Sequence, residues 1–122
     1  MNYQLNLKTF RAGSNSFHIA SVIVSGEKDA VLIDAQFSLA NAHRVVAELK
    51  DNGKNLIAIY VSHGDPDYYF GLTVITQAYP NAIVYATAPV IEHIKHTYQK
   101  KLKVWGPKLQ RIKRQNLGLR YF

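Results

Sequence analysis

Apolar and polar positions alternate in short runs at the start of the chain, then give way to a longer period. Residues 4–10 alternate loosely, which predicts an edge strand, and residues 17–24 read as a second strand. In that second run Phe17, Ile19 and Ile23 fall on one side, with Ala20, Val22 and Val24 on the other. The turn cluster Gly26-Glu27-Lys28-Asp29 leads into Ala30-Val31-Leu32-Ile33-Asp34, and so short a connection predicts an antiparallel hairpin.

The period then changes. Behind Ser38, a candidate N-cap, Leu39, Ala42, Val45, Val46 and Leu49 recur at helical spacing, and Gly53 stands where a C′ glycine belongs. Residues 55–62 form the next strand, apolar on both sides and therefore expected to be buried on both. A loop at 63–67, a short helix at 71–79 ended by Pro80-Asn81, a strand at 82–86 and a helix at 89–104 complete the pattern. The last helix carries Val90, Ile91, Ile94, Tyr98 and Leu102 on one face. Strand–helix alternation behind a hairpin predicts an α+β fold, a mixed β-sheet covered by helices.

Regular patterning fades after Trp105-Gly106-Pro107, which divides the 122 residues into a domain at 1–107 and a basic C-terminal tail at 108–122. Charge sharpens that division. The formal net charge is +7, and no acid follows Glu92, while Lys95, Lys100, Lys101, Lys103, Lys108, Arg111, Lys113, Arg114 and Arg120 do. Such a tail is either a solvated terminus or an arm for nucleic acid, and no recognition helix or stacking pattern accompanies it. The 48% hydrophobic content is that of a globular domain, and the absence of cysteine removes disulfide and thiolate chemistry. The start of the chain lacks a basic and apolar leader, and no apolar run is long enough to span a bilayer, so the expected location is cytoplasmic.

Candidate chemistry lies in the loop after the strand at 55–62, at its carboxyl end, where open sheets place ligands. His63, Asp65 and Asp67 occupy alternate positions with Tyr68 adjacent, and alternate residues of an extended turn point to one side. Imidazole and carboxylate together suit zinc, iron or manganese. A turn whose Asx side chains simply cap backbone groups is the competing reading.

The segment Ser62-His63-Gly64-Asp65-Pro66-Asp67-Tyr68-Tyr69-Phe70-Gly71, behind an apolar strand, resembles the His-x-His-x-Asp-His loop of the metallo-β-lactamase superfamily. The strand Val31-Leu32-Ile33-Asp34-Ala35 resembles that family's strand ending in aspartate, and the likeness runs over about residues 4–107. The resemblance implies a four-layer αββα sandwich of which this chain provides the N-terminal half. It implies a hydrolase in which a divalent metal, zinc first, activates water against a small-molecule ester, amide, thioester or phosphoester. His63 matches the first histidine of the motif, Asp65 stands for the second and Asp67 matches the aspartate, as ligand and in part as general base. Tyr68 stands where the final histidine would be, and Asp34 would help to hold the loop from behind. The family's second half supplies further ligands and has no counterpart after Pro107, as a truncated gene or shifted frame would produce.

Half a sandwich leaves one apolar sheet face to be covered, so a homodimer or a partner chain is expected. The rival readings are a non-catalytic remnant or dimerising module of the same fold, and a small protein that binds nucleic acid through its tail. His18 reads as a packed or edge histidine and His43 as solvated, while Glu92 and His96 have the spacing of an exposed ion pair beside His93. Tyr69, Phe70 and Trp105 are candidates for a substrate pocket or for core packing.

Overall fold

A computed structural model describes residues 4–14, 17–109 and 118–121, with the backbone alone for 105–109. The order of elements is β1 (Asn6–Arg11), β2 (Ala20–Ser25), β3 (Asp29–Ile33), α1 (Leu39–Asp51), β4 (Asn55–Tyr60), α2 (Pro66–Tyr69), α3 (Leu72–Ala78), β5 (Ile83–Ala86), α4 (Ala88–Leu109) and β6 (Leu119–Tyr121). The strands form one sheet in sequence order, antiparallel from β1 to β3 and parallel from β3 to β6. This is the mixed sheet with helices that the hydrophobic pattern predicts.

Local signals set the elements. The Ser38 hydroxyl accepts the Asn41 N–H at 3.1 Å and starts α1, and Gly53, at φ +64, follows its C-cap. Three elements exceed the pattern, the first being helix α2, which begins inside the loop expected at 63–67. Helix α4 continues through Gly106-Pro107 to Leu109, and β6 is a strand that the pattern does not announce. The expectations for the rest of the tail at 110–117, and for the Trp105 side chain, lie outside the described residues. The strand expected from residue 17 begins at Ala20, because Phe17 and His18 both have positive φ. His18 is exposed in that connection, so it is not a packed histidine.

Topology decides which face is covered. Each parallel step from β3 to β6 moves the same way across the sheet, and right-handed crossovers then lay every connecting helix on one face. On that face Ile23, Ala30, Leu32, Leu56, Ile59, Val84 and Ala86 are buried against Val45 and Leu49 of α1, Ile75 of α3, and Ile91 and Ile94 of α4. Phe37 stacks on Phe70 at 5.8 Å, and Phe70 meets Tyr98 edge-on at 6.3 Å. Phe70 and Tyr69 are therefore core residues.

Among the described residues no helix packs against the opposite face. Cross-strand pairing puts Leu7, Val22, Val24, Val31, Ile33 and Ala58 on it, with Ile83 on β5. An irregularity at Ala30/Val31 leaves Ile57 unpaired and facing the same way, 45% exposed, whereas Ile59 is 0% exposed. The two-sided burial expected for β4 is thus corrected: its second apolar face is open. Among the described residues no helix is long and apolar enough to cross a membrane.

Replacing Ile59 by Ala removes a fully enclosed side chain, and urea unfolding should register a loss of about 2–5 kcal/mol. A loss of a few tenths would mean that the helices do not enclose this face.

Candidate functional site

Strand β3 ends in a corner that governs the site. Asp34, at φ +67, continues the ladder by donating its N–H to the Tyr60 carbonyl at 2.8 Å, and Gln36 follows at φ +72. Left-handed backbone at two non-glycine residues is held only where surroundings over-determine it. Here the Ser21 hydroxyl donates to the Asp34 carbonyl at 2.7 Å, and the buried Gln36 amide donates to Ser21 Oγ at 2.8 Å and the Ile19 carbonyl at 3.2 Å. The corner turns the Asp34 side chain toward the end of β4. Its carboxylate accepts the Ser62 N–H at 2.7 Å and the Ser62 hydroxyl at 2.6 Å. Ser62 Oγ in turn lies 2.8 Å from Nδ1 of His63.

The loop is tied down on its far side as well. Ala35 N–H donates to the Tyr68 carbonyl at 2.8 Å, and Gly71 N–H to the Gln36 carbonyl at 2.9 Å. These backbones meet so closely that a Cβ on Gly71 would stand 2.0 Å from the Ala35 carbonyl oxygen. A second close approach involves α4, where the His93 ring lies so near Gly64 that a Cβ there would stand 2.3 Å from it. Sequence reasoning set His93 aside; the small residue beside His63 was the only signal that something packs there. Glu92, read as a partner of His96, instead accepts from the Tyr121 hydroxyl at 3.2 Å and lies 3.9 Å from Lys95. Strand β6 delivers that hydroxyl, so the pairing follows from an element the pattern does not show.

Imidazole and phenol stack, His63 on Tyr68, at 4.4 Å between centroids. Burial pushes the Tyr68 phenol up, and Asp67, Asp34 and Asp65 push the same way, so Tyr68 is a neutral wall to the imidazole. Burial also raises the Asp67 carboxyl, with the Asp65 charge adding to it and its own backbone N–H, His63 and Lys101 opposing. The Asp34 carboxyl is raised by burial against the two Ser62 hydrogen bonds. Asp65 is exposed and occupies the N-cap of α2 without a side-chain capping bond, so the capping-turn reading does not describe it.

The alternate-position argument fails by Asp67. Asp65 is extended, but Pro66 occupies the first turn of α2 and swings Asp67 onto a helix. Among the described residues no group of three or more His, Asp and Glu side chains gathers closely enough to hold a metal ion. The donor set is right in kind for a divalent metal, but this arrangement alone does not fit one. Beside it an open cleft of about 260 Å³ is lined by Phe17, Phe37, Asp65, Pro66, Asp67 and Lys101.

The family model described as the metallo-beta-lactamase superfamily matches residues 15–115, most of the chain. The chain belongs to that superfamily. Among solved structures it is similar to a metallo-beta-lactamase from Hirschia baltica at TM-score 0.60 and 16% identity, covering 75% of this chain and 48% of the other. The metallo-beta-lactamase DIM-1, crystallised after exposure to ceftazidime, matches at 0.61 and 18%, covering 78% and 48%. FIM-1 from Pseudomonas aeruginosa, in its mono-zinc form, matches at 0.57 and 16%, covering 77% and 42%. At these identities the likeness is one of fold. The chain spans about half the length of these metallo-beta-lactamases, as a half-domain of that α+β architecture does. No curated protein matches it in sequence.

Substituting Gly71 by Ala drives a methyl into the Ala35 carbonyl and should cost about 1–3 kcal/mol in urea unfolding, or more where the corner cannot yield. A neutral result would mean that the two backbones separate freely.

Protonation gives a second test. Asp34 and Asp67 are both raised from 3.8, so the folded chain binds these protons at higher pH than the unfolded chain does. Their contribution therefore favours folding in acid and is lost as pH rises through the interval above 3.8. The stability of the natural chain relative to the Asp34→Asn/Asp67→Asn variant should fall as pH is raised from about 4 towards neutrality. A difference that grows over that range would reverse the assignment.

Proposed function

We propose that this chain is one half of a metal-dependent hydrolase of the metallo-β-lactamase type, working only once its open sheet face is covered. The observation that carries the reading is the one-sided sheet, with the His63 loop at the carboxyl end of its strand β4. His63, Asp65 and Asp67 would provide one wall of the metal site, and the covering layer the donors that complete it. Because the wall alone does not fit a metal, no hydrolytic step is assigned to the isolated chain. A bound divalent ion, zinc first and iron or manganese as alternatives, would supply Lewis acidity and an activated water.

The chain's own residues have definable parts. Asp67, whose carboxyl burial raises above its ordinary value, is suited to the part of proton acceptor. Lys101 offers a positive charge beside the Phe17 and Phe37 rings, which suits a small ester, amide, thioester or phosphoester carrying an anionic group. The cysteine-free composition is compatible with a reducing compartment such as the cytoplasm.

The covering layer proposed is a second copy. Six strands about 4.8 Å apart and roughly 18 Å long present a flat area on the order of 500 Å², within reach of a dimer interface. Sedimentation at micromolar concentration should give a dimer, and Val31→Lys, in the middle of the face, should return a folded monomer. The dimer should retain zinc through dialysis and lose it on His63→Ala. A monodisperse natural monomer, or zinc retention indifferent to His63, would overturn the reading.

A further inference from the structure

Ser62 stands between Asp34 and His63, and both of its donors, the backbone N–H and the hydroxyl, go to Asp34. The Ser62 backbone N–H, which can only donate, takes one oxygen of the Asp34 carboxylate at 2.7 Å. Its hydroxyl takes the other at 2.6 Å, the length of an O–H···O⁻ bond. A hydroxyl has one proton, and that proton points at Asp34. Toward His63 Nδ1, 2.8 Å away, Ser62 Oγ then has only a lone pair to offer, so Nδ1–H must be the donor.

We infer that Ser62 is a positioning residue that relays the Asp34 carboxylate to His63 and fixes the Nδ1–H tautomer, leaving Nε2 as a bare lone pair. The inference deepens the reading above: it rests on that reading for what Nε2 binds, though not for the tautomer itself.

Two features of the fold make the relay directional. The Asp34 carboxylate is aimed by a left-handed backbone that the Ser21 hydroxyl holds through the Asp34 carbonyl, so it is not free to follow a rotating serine. The Tyr68 ring stacked on the imidazole resists the half-turn that would exchange Nδ1 for a ring carbon. His63 is otherwise exposed, and an unbraced neutral histidine in water favours the opposite, Nε2–H form. A ligand or proton acceptor needs Nε2 bare, and the hydrogen bond made by the other nitrogen selects that state.

Nitrogen-15 NMR of the histidine rings tests the relay on the metal-free chain, in alkaline buffer where imidazole is neutral. The natural chain should show His63 with a protonated Nδ1 and an unprotonated Nε2. Ser62→Val, which keeps the shape and loses the hydroxyl, should move His63 to the Nε2–H form, and Ser62→Thr should restore the natural spectrum. A natural chain already in the Nε2–H form would overturn the inference, as would a Ser62→Val spectrum identical to it. Should Ser62→Val fail to fold, the natural chain and Ser62→Thr still decide, since both must show Nδ1–H. The readout is a spectrum without metal, whereas the functional reading stands or falls on zinc content and oligomeric state, so the two failures are distinct.

Discussion

The constraint on which most of this structure depends is the handedness of its crossovers. A sheet that adds parallel strands in one direction must receive all its connecting helices on one side. Once β3, β4, β5 and β6 are laid side by side in sequence order, α1, α3 and α4 have no choice of face. The enclosed layer of Leu32, Leu56, Ile59 and Val84 follows, and so does the half-buried layer of Val22, Val31, Ile33 and Ala58. One rule thus produces both the enclosed layer and the open one.

The corner at the end of β3 is the second thing the fold has to secure. Left-handed residues cost free energy, of order 1–3 kcal/mol each in unfavourable cases. Asp34 and Gln36 are kept there by buried hydrogen bonds from Ser21 and Gln36 and by the close backbone approach at Gly71. The return is positional. The same residue that bends the chain presents the carboxylate that grips Ser62, so the geometry of the His63 loop is inherited from strain one strand away.

Much of this was legible in the residues, and the exceptions have physical reasons. Alternation located the strands to within a few positions, and Ser38 with Gly53 bracketed α1, because capping and periodicity are local properties. Alternation cannot distinguish an apolar face that is packed from one awaiting a partner, so β4 looked buried on both sides. Pro66 stands at the first position of a helix and starts one, which removes Asp67 from the alternate series. His93 and the Tyr121 hydroxyl reach their partners across the fold, through α4 and β6, at separations on which local spacing is silent. Strand β6 has only three residues, of which only Leu119 is partly buried, so it carries too little pattern to be seen.

The two gaps in this chain, an uncovered face and an ungathered ligand set, need not be independent. Tyr60 is the last residue of β4, pairs with Ile33 and Tyr85 at the carboxyl rim of the sheet, and is three residues from His63. A layer laid over Val22, Ile33 and Ala58 would reach the strand end from which the His63 loop departs. On the proposed reading, covering the apolar face and supplying the missing donors are therefore one event. Burial of hydrophobic surface would drive it, and the braced Nε2 of His63 would already be turned to meet what arrives.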